Sequence, residues 1–163
     1  QIALGSENGT AALYLSDQTD MSNSLAEGFR HSPEQLDVKV EKLDSWCERR
    51  NVTPGLIKID TETTEPAVIE GGLGTIEKLR PWIFCEILHG RQIEEPIMDL
   101  MGPLGYTWYH LTGDPPYEPR DRIVGDDTYR NLMWIFTPEP VDPAFWPQVS
   151  AWRASLDRTR TAA

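Results

Sequence analysis

The chain has 163 residues, enough for one domain with a hydrophobic core and too few for two. Its formal net charge of −11 disfavours a nucleic-acid partner, because an acidic surface repels phosphate backbones. No stretch approaches the roughly 20 apolar residues that cross a bilayer, so no membrane partner is expected either. The only cysteines, Cys47 and Cys85, lack the spacing of a disulfide framework or a metal motif and fit a reducing cytoplasm.

The first part of the chain predicts short strands around a long loop. Residues 2–5 indicate the end of a strand, Asn8-Gly9 is typical of a hairpin turn, and a second strand is expected over 10–16. Residues 17–35 are polar and rich in turn formers, which predicts a loop of a length that is usually functional or disordered. Alternating apolar and polar residues over 38–43 then predict a half-exposed strand.

Strands and helices alternate in the middle of the chain. Asp44 offers an N-cap for a short helix, and residues 56–59 form a compact apolar strand. A helix is expected from Glu65, ended by Gly71-Gly72. Residues 82–88 are the most apolar run, which predicts a buried central strand.

The last part adds one helix, two strands and a terminal helix. Helical spacing marks 93–104, strands are expected over 106–111 and 131–136, and residues 112–130 form a loop rich in Pro and Asp. A terminal helix is expected over 143–157. The apolar stripe predicted for that helix is Phe145, Val149, Trp152 and Leu156.

The order of these elements predicts the fold class. Alternation between residues 38 and 111 favours an α/β fold with a mostly parallel sheet and flanking helices. In such sheets ligands bind beyond the carboxyl ends of the strands. One predicted strand is followed by the polar segment 60–65, and the next ends in the segment 86–90. If the two strands are neighbours, several carboxylates and an imidazole converge on one edge of the sheet.

The residues at this edge suggest general base catalysis or a metal site. Asp60 and Glu62 lie between a core strand and a helix, which favours a functional role over a solvated one. Glu65 fits equally well as a residue that stabilises the first turn of its helix. His89 is suited to remove a hydroxyl proton near neutral pH. A divalent cation is the alternative for the carboxylates, with Asp60, Glu62 and Glu86 as its ligands.

Several segments resemble a known family in the same order along the chain. Residues 56–65, which contain Lys58-Ile59-Asp60-Thr61-Glu62, followed by 68–72, resemble the signature of FkbM methyltransferases, a strand ending in Lys-Ile-Asp and then Val-Glu-Gly. The stretches at 3–5, 23–25 and 43–45 resemble landmarks upstream of that strand. Later landmarks match at 81–89, 105–106 and 131–136. Thr63 stands where the family pattern has glycine.

The resemblance implies a Rossmann-like class I methyltransferase fold that uses S-adenosylmethionine. Placed on the family, the chain starts near the end of the third strand, so the N-terminal strands and the glycine-rich cofactor loop are missing. It is then a single domain over 1–163, family-like over 1–142 and with a terminal helix or tail over 143–163. The cofactor would lie against Ala3, Leu4 and Asp60.

The resemblance also implies methyl transfer to the hydroxyl of a sugar or a natural-product-type small molecule. His89 is then the predicted base, and Asp60 and Glu62 orient the acceptor or hold a metal. Glu65 and Glu86 are second choices for contacting the acceptor.

Two other functions remain open on the sequence. One is a catalytically inactive or partner-dependent module with the methyltransferase fold. The other is a metal-dependent hydrolase that uses the carboxylate cluster. A sheet without its first strands also has an exposed edge, which a homo-oligomer could cover.

Overall fold

The computed structural model describes residues 2–17, 23–31 and 33–161 of the chain. Within these ranges eight strands and five helices form. The strands are β1 (Ala3–Leu4), β2 (Gly9–Leu15), β3 (Glu34–Glu41), β4 (Leu56–Ile59), β5 (Trp82–Glu86), β6 (Thr107–His110), β7 (Pro119–Arg120) and β8 (Met133–Thr137). The helices are α1 (Leu43–Arg50), α2 (Glu65–Glu70), α3 (Leu73–Leu79), α4 (Glu94–Met101) and α5 (Trp146–Thr161), with short 3-10 turns at Gly102–Leu104 and Pro143–Phe145. None of the described helices is both long enough and apolar enough to cross a membrane.

The strands form two sheets, one of three strands in the order β1-β3-β2 and one of five in the order β4-β5-β8-β6-β7. In the larger sheet β4 and β5 are parallel, and β8 is antiparallel to both β5 and β6. The α/β class is therefore confirmed, but the mostly parallel sheet was a wrong prediction, because the described sheets are mixed. The reason lies in the connection before β8: residues 111–132 contain no crossover helix, and a strand that returns without one runs antiparallel.

The hairpin predicted at Asn8-Gly9 was also wrong. Strands β1 and β2 do not pair with each other, because β3 lies between them, parallel to β1 and antiparallel to β2. Asn8 is instead an anchor: its Oδ1 accepts the Lys42 N–H at 2.8 Å, and its Nδ2 donates to Ser45 Oγ at 3.1 Å. The predicted loop over 17–35 ends earlier than expected, since β3 begins at Glu34, and residues 18–22 and 32 lie outside the described ranges.

Helices α2, α3 and α4 cover one face of the larger sheet. Apolar residues of β5 and β8 on that face, Ile83, Cys85, Trp134 and Phe136, belong to the main core with residues from the three helices. Helix α3 was not predicted. It begins directly after the double glycine, and Asp44 accepts the N–H groups of Gly74 at 3.1 Å and Thr75 at 2.7 Å. Asp44 thus stabilises the start of α3, whereas no side chain caps the helix that it was predicted to start.

Helix α5 covers the other face of the sheet. Its residue Trp146 is 6% exposed and packs against Tyr109 and Ile135. The stripe predicted for this helix is only partly correct, because Trp152 is 63% exposed and Leu156 is 43% exposed. Among the residues of α5 whose side chains are described, those that pack against the sheet, Trp146 and Val149, lie in its first turns.

Candidate active site

Three carboxylates meet where β4 and β5 end. In the parallel register Ile59 lies beside Cys85, so continuing one residue brings Asp60 beside Glu86. One carboxylate oxygen from each of Asp60, Glu62 and Glu86 lies within 4.8 Å of the other two. The convergence expected from neighbouring strand ends is present for these three residues, which we call the carboxylate cluster.

Glu86 is the most perturbed member of the cluster. Its Oε2 is buried and has no hydrogen-bond partner among the described residues. Burial, followed by the charges of Asp60 and Glu62, raises the pKa of Glu86 to about 7. A carboxyl group with such a pKa can take up or release a proton near neutral pH, as a general base must.

Charged residues of both signs border the cluster. Burial and then the Asp60 carboxylate raise the pKa of Glu62, while Arg30 and Arg91 oppose that shift. The Cζ atoms of these two arginines lie 5.0 and 4.9 Å from the ring centroid of the buried Phe29. The segment around Phe29 and the loop after β5 thus meet above the cluster and give it a basic rim.

Glu65 lies beneath the cluster and is fully buried. Its Oε1 accepts the N–H of Thr61 at 2.8 Å, the N–H of Thr63 at 3.3 Å and the hydroxyl of Thr61 at 3.1 Å. All of these contacts lie within its own turn, and Glu65 is not a member of the cluster. The structure therefore places it as a support for the segment that carries Glu62.

His89 lies in a separate set of contacts. The side chain is exposed, and its Nδ1 is 3.2 Å from the Gly125 carbonyl oxygen. The Tyr129 hydroxyl donates to the backbone carbonyl oxygen of His89 at 2.8 Å. Since a carbonyl oxygen can only accept, the first contact requires a proton on Nδ1. Its chemistry suits a base, but it does not join the cluster.

The loop that holds Tyr129 is organised by Asp126. This carboxylate accepts the N–H groups of Thr128 at 2.9 Å and Asn131 at 2.8 Å, as well as the Thr128 hydroxyl. These hydrogen bonds, led by the one from the Thr128 side chain, hold the pKa of Asp126 well below its usual range. Asp126 therefore fixes its own loop rather than reaching the cluster.

Of the predicted cofactor residues, Asp60 belongs to the carboxylate cluster, and Ala3 and Leu4 form β1. Ala3 pairs with Val40 of β3, and Leu4 packs against the main core. Leu4 also lines a shallow concavity of about 290 Å³ together with Thr64 and Ala67 from the start of α2. The strand end and the helix that follows the cluster are thus brought together, while the role of Ala3 and Leu4 in holding a cofactor stays a prediction.

Ser24 is a site residue whose contact the sequence did not indicate. Its side chain is buried, and its Oγ donates to the Glu62 carbonyl oxygen at 2.7 Å and accepts the Ala26 N–H at 3.0 Å. The two partners Ser24 and Glu62 are 38 positions apart, so no local pattern predicts their contact.

A larger apolar cavity of about 860 Å³ lies between α5 and the sheet. Phe84 and Met133 line it, and both are strand neighbours of Glu86: Phe84 lies two residues earlier on the same face of β5, and Met133 is the register partner of Glu86 on β8. The apolar surface therefore continues along the sheet towards the cluster.

The family model described as the methyltransferase FkbM domain matches residues 1–107. This chain belongs to the FkbM methyltransferase family. The match contains all three cluster residues and His89, whereas β8 and α5 lie beyond it. No curated protein and no solved structure matches the chain.

Thr63 shows why the FkbM pattern has glycine at that position. Its φ angle is +86°, and that of Glu62 is +55°, so two consecutive residues occupy a region that side chains rarely adopt. For a β-branched residue such a conformation is strained, whereas glycine adopts it freely. The turn of this FkbM domain thus holds a threonine in a conformation that favours glycine.

Proposed function

We propose that this FkbM domain belongs to an S-adenosylmethionine-dependent O-methyltransferase acting on the hydroxyl of a sugar or a natural-product-type small molecule. The family establishes a methyltransferase in general. The observation that supports transfer to oxygen is the buried Oε2 of Glu86, which lies in the carboxylate cluster without a hydrogen-bond partner among the described residues. A hydroxyl group is a donor that would satisfy this oxygen.

The chemistry asked of the protein is limited. S-adenosylmethionine, when bound, supplies a methyl group on a positively charged sulfonium, and the negative charge of the cluster fits a cationic donor nearby. The chain then has to place the acceptor oxygen and take its proton. Glu86, with its pKa of about 7, takes that proton, while Asp60 and Glu62 orient the acceptor. His89 remains the base predicted from the sequence and is tested beside Glu86.

The cavity under α5 supports an acceptor with an apolar body. Its volume lies within the usual range of small-molecule pockets, roughly 300–1,000 Å³. An acceptor whose apolar part lay over Phe84 and Met133 would bring a polar end towards Glu86. This arrangement favours a natural-product-type alcohol over a bare sugar.

A divalent cation is the alternative occupant of the carboxylate cluster. Asp60, Glu62 and Glu86 supply three oxygen ligands at mutual distances that one ion could bridge. The ion would hold the acceptor hydroxyl and make its proton more acidic, so Asp60 and Glu62 would act as ligands rather than as orienting groups.

Two further proposals concern the setting of the enzyme. Strand β4 forms an edge of the larger sheet and presents Leu56, which is 58% exposed, so a homo-oligomer that covers this edge is proposed. A cytoplasmic location is proposed from the two buried free thiols of Cys47 and Cys85.

The first test is calorimetric titration of this chain, and of a form extended upstream, with S-adenosylhomocysteine, followed by transfer of a radiolabelled methyl group to a panel of sugars and polyketide-type alcohols. We expect Glu86→Gln to lower the transfer rate by about 100-fold or more, because the variant cannot accept a proton. His89→Gln, the matched variant, is expected to leave the rate within a few-fold.

The outcomes separate the alternatives. Loss of transfer in His89→Gln alone would make His89 the base, as the sequence predicted. Transfer that requires added Mg²⁺ or Mn²⁺, with binding of the ion lost in Glu86→Gln, would favour the cation. Absence of S-adenosylhomocysteine binding in both this chain and the form extended upstream would contradict the proposal and favour an inactive or partner-dependent module. Hydrolysis that needs metal but no methyl donor would favour the hydrolase.

A further inference from the structure

We infer that Glu65 is a positioning residue, which holds the left-handed turn at Glu62 and Thr63 and thereby docks the segment 23–31 over the acceptor side of the carboxylate cluster. The inference rests on the proposed function for the meaning of that side. It assigns to Glu65 a role through other residues, not contact with the acceptor.

The turn at Glu62 and Thr63 is strained. Glu62 and Thr63 have φ angles of +55° and +86°, and left-handed conformations of residues with side chains persist only where the surroundings enforce them. The two residues that flank Glu62 both contact Glu65. A single oxygen of Glu65, Oε1, accepts the N–H of Thr61 and the N–H of Thr63. These two hydrogen bonds bracket Glu62 and fix its backbone.

The side chain of Glu65 lies in the interior of the protein. The residue is 0% exposed, and its Oε2 has no hydrogen-bond partner among the described residues. A buried carboxylate is costly unless its hydrogen bonds offset the loss of water. The Glu65 side chain accepts hydrogen bonds from both the amide and the hydroxyl of Thr61, four residues earlier. Capping of α2 alone does not require these contacts.

The turn connects the carboxylate cluster to Ser24 through Glu62. With its backbone fixed, Glu62 directs its carboxylate to Asp60 and Glu86 and leaves its carbonyl oxygen for Ser24 Oγ at 2.7 Å. Ser24 also accepts the Ala26 N–H at 3.0 Å. This segment then brings Phe29 beneath the guanidinium of Arg91 from the loop after β5. One buried side chain thus links the cluster to the segment above it.

Amide hydrogen exchange followed by NMR tests this chain of contacts without substrate or cofactor. In Glu65→Ala we expect exchange at Thr61, Thr63 and Ala26 to accelerate about tenfold or more, because the first two amides lose their acceptor and the turn that holds Ser24 is released. Glu65→Gln keeps a carbonyl oxygen for the two amides and should restore most of the protection. Ser24→Ala should release Ala26 but leave Thr61 and Thr63 protected.

A matched control separates positioning from general stability. Asp44→Ala removes another carboxylate that accepts two N–H groups at the start of a short helix. It should leave exchange at Thr61, Thr63 and Ala26 unchanged relative to core amides of β5 and β8, which report global unfolding. In the background of Thr63→Gly, where the turn is no longer strained, the acceleration caused by Glu65→Ala should shrink.

Two results would overturn the inference. One is exchange in Glu65→Ala that rises equally at Thr61, Thr63, Ala26 and the core amides, which would make Glu65 a general stabiliser. The other is an equal acceleration in Asp44→Ala. Neither result bears on S-adenosylhomocysteine binding, so failure of the positioning role is distinguishable from failure of the proposed function.

Discussion

At the scale of single residues, the site is shaped by side chains that carry charge in poorly solvated places. Glu86 ends β5 on the same face as Phe84, and its neighbours in space are the carboxylates of Asp60 and Glu62. Burial of the Glu86 carboxyl, and then the negative charges of Asp60 and Glu62, disfavour its ionised form and raise its pKa to about 7. The same feature that suits Glu86 to proton transfer therefore costs stability.

The pH dependence of stability follows from this pKa. The carboxyl of Glu86 ordinarily has a pKa of 4.5, so the folded state holds its proton more tightly than the unfolded state between pH 4.5 and about 7. Stability should fall as pH rises through that window, and the loss should be complete above it. We expect Glu86→Gln to be more stable than the natural chain at pH 8 and to lack this part of the pH dependence, measured by urea unfolding at pH 5 and pH 8.

A matched control for this experiment is Glu118→Gln, which changes an exposed glutamate away from the cluster. It should leave the difference between the two pH values unchanged. A raised pKa for Glu86 would be contradicted if the natural chain and Glu118→Gln lost no more stability between pH 5 and pH 8 than Glu86→Gln does.

At the scale of elements, α5 shows how a helix is positioned by its first turns. Trp146 contacts Tyr109 and Tyr117 edge to face, with ring centroids 5.7 and 5.3 Å apart. Trp152 is 63% exposed at the rim of the apolar cavity. The two tryptophans of one helix thus differ in burial, and the buried one, Trp146, lies outside the apolar stripe predicted from the sequence.

We expect Trp146→Ala to lower the free energy of unfolding by about 3–5 kcal/mol, because it removes a large buried side chain and leaves a cavity. Trp152→Ala, the matched change on the same helix, should cost less than about 1 kcal/mol because its ring is mostly in water already. Urea denaturation of the two variants measures both values. Equal losses would mean that α5 lies against the sheet along the stripe predicted from the sequence.

At the scale of the whole molecule, single side chains join layers that are distant in sequence. The Arg80 guanidinium donates to the carbonyl oxygen of Leu104 and to that of Pro138, the latter at 2.8 Å, and its Cζ lies 4.4 Å from the Tyr106 ring centroid. It therefore ties the end of α3 to the turn before β6 and to the segment after β8. The planar fork of arginine can make these contacts together, which lysine cannot.

We expect Arg80→Ala to lower the free energy of unfolding by about 2–3 kcal/mol, since two carbonyl groups lose a charged donor. Arg80→Lys keeps the charge but loses the fork, so it should recover less than half of that loss. Thermal and urea unfolding measure the effect. Arg80→Ala within about 0.5 kcal/mol of the natural chain would show that water replaces these bonds at no cost.

The sequence by itself determined most of the elements, though not α3 or β7, and it determined the family. Apolar runs and glycine stops predicted β4, α2 and β5 within a few residues, because short buried strands and helix ends depend on local chemistry. The ordered FkbM landmarks identified the family that the match over residues 1–107 shows. The meeting of Asp60 with Glu86 was also predictable, since it needs only that two successive strands be parallel neighbours.

Only the tertiary structure decided the contacts between distant segments. Antiparallel β8 enters between β5 and β6, and β3 between β1 and β2, because strand pairing depends on which connections can span the sheet rather than on the strands' own residues. Asp44 stabilises the start of α3, some 30 residues later, instead of its own helix. Ser24 contacts Glu62, and Glu65 contacts Thr61, through buried polar atoms. Burial of such atoms costs free energy unless a hydrogen-bond partner offsets the loss of water, and only the tertiary structure brings those partners together.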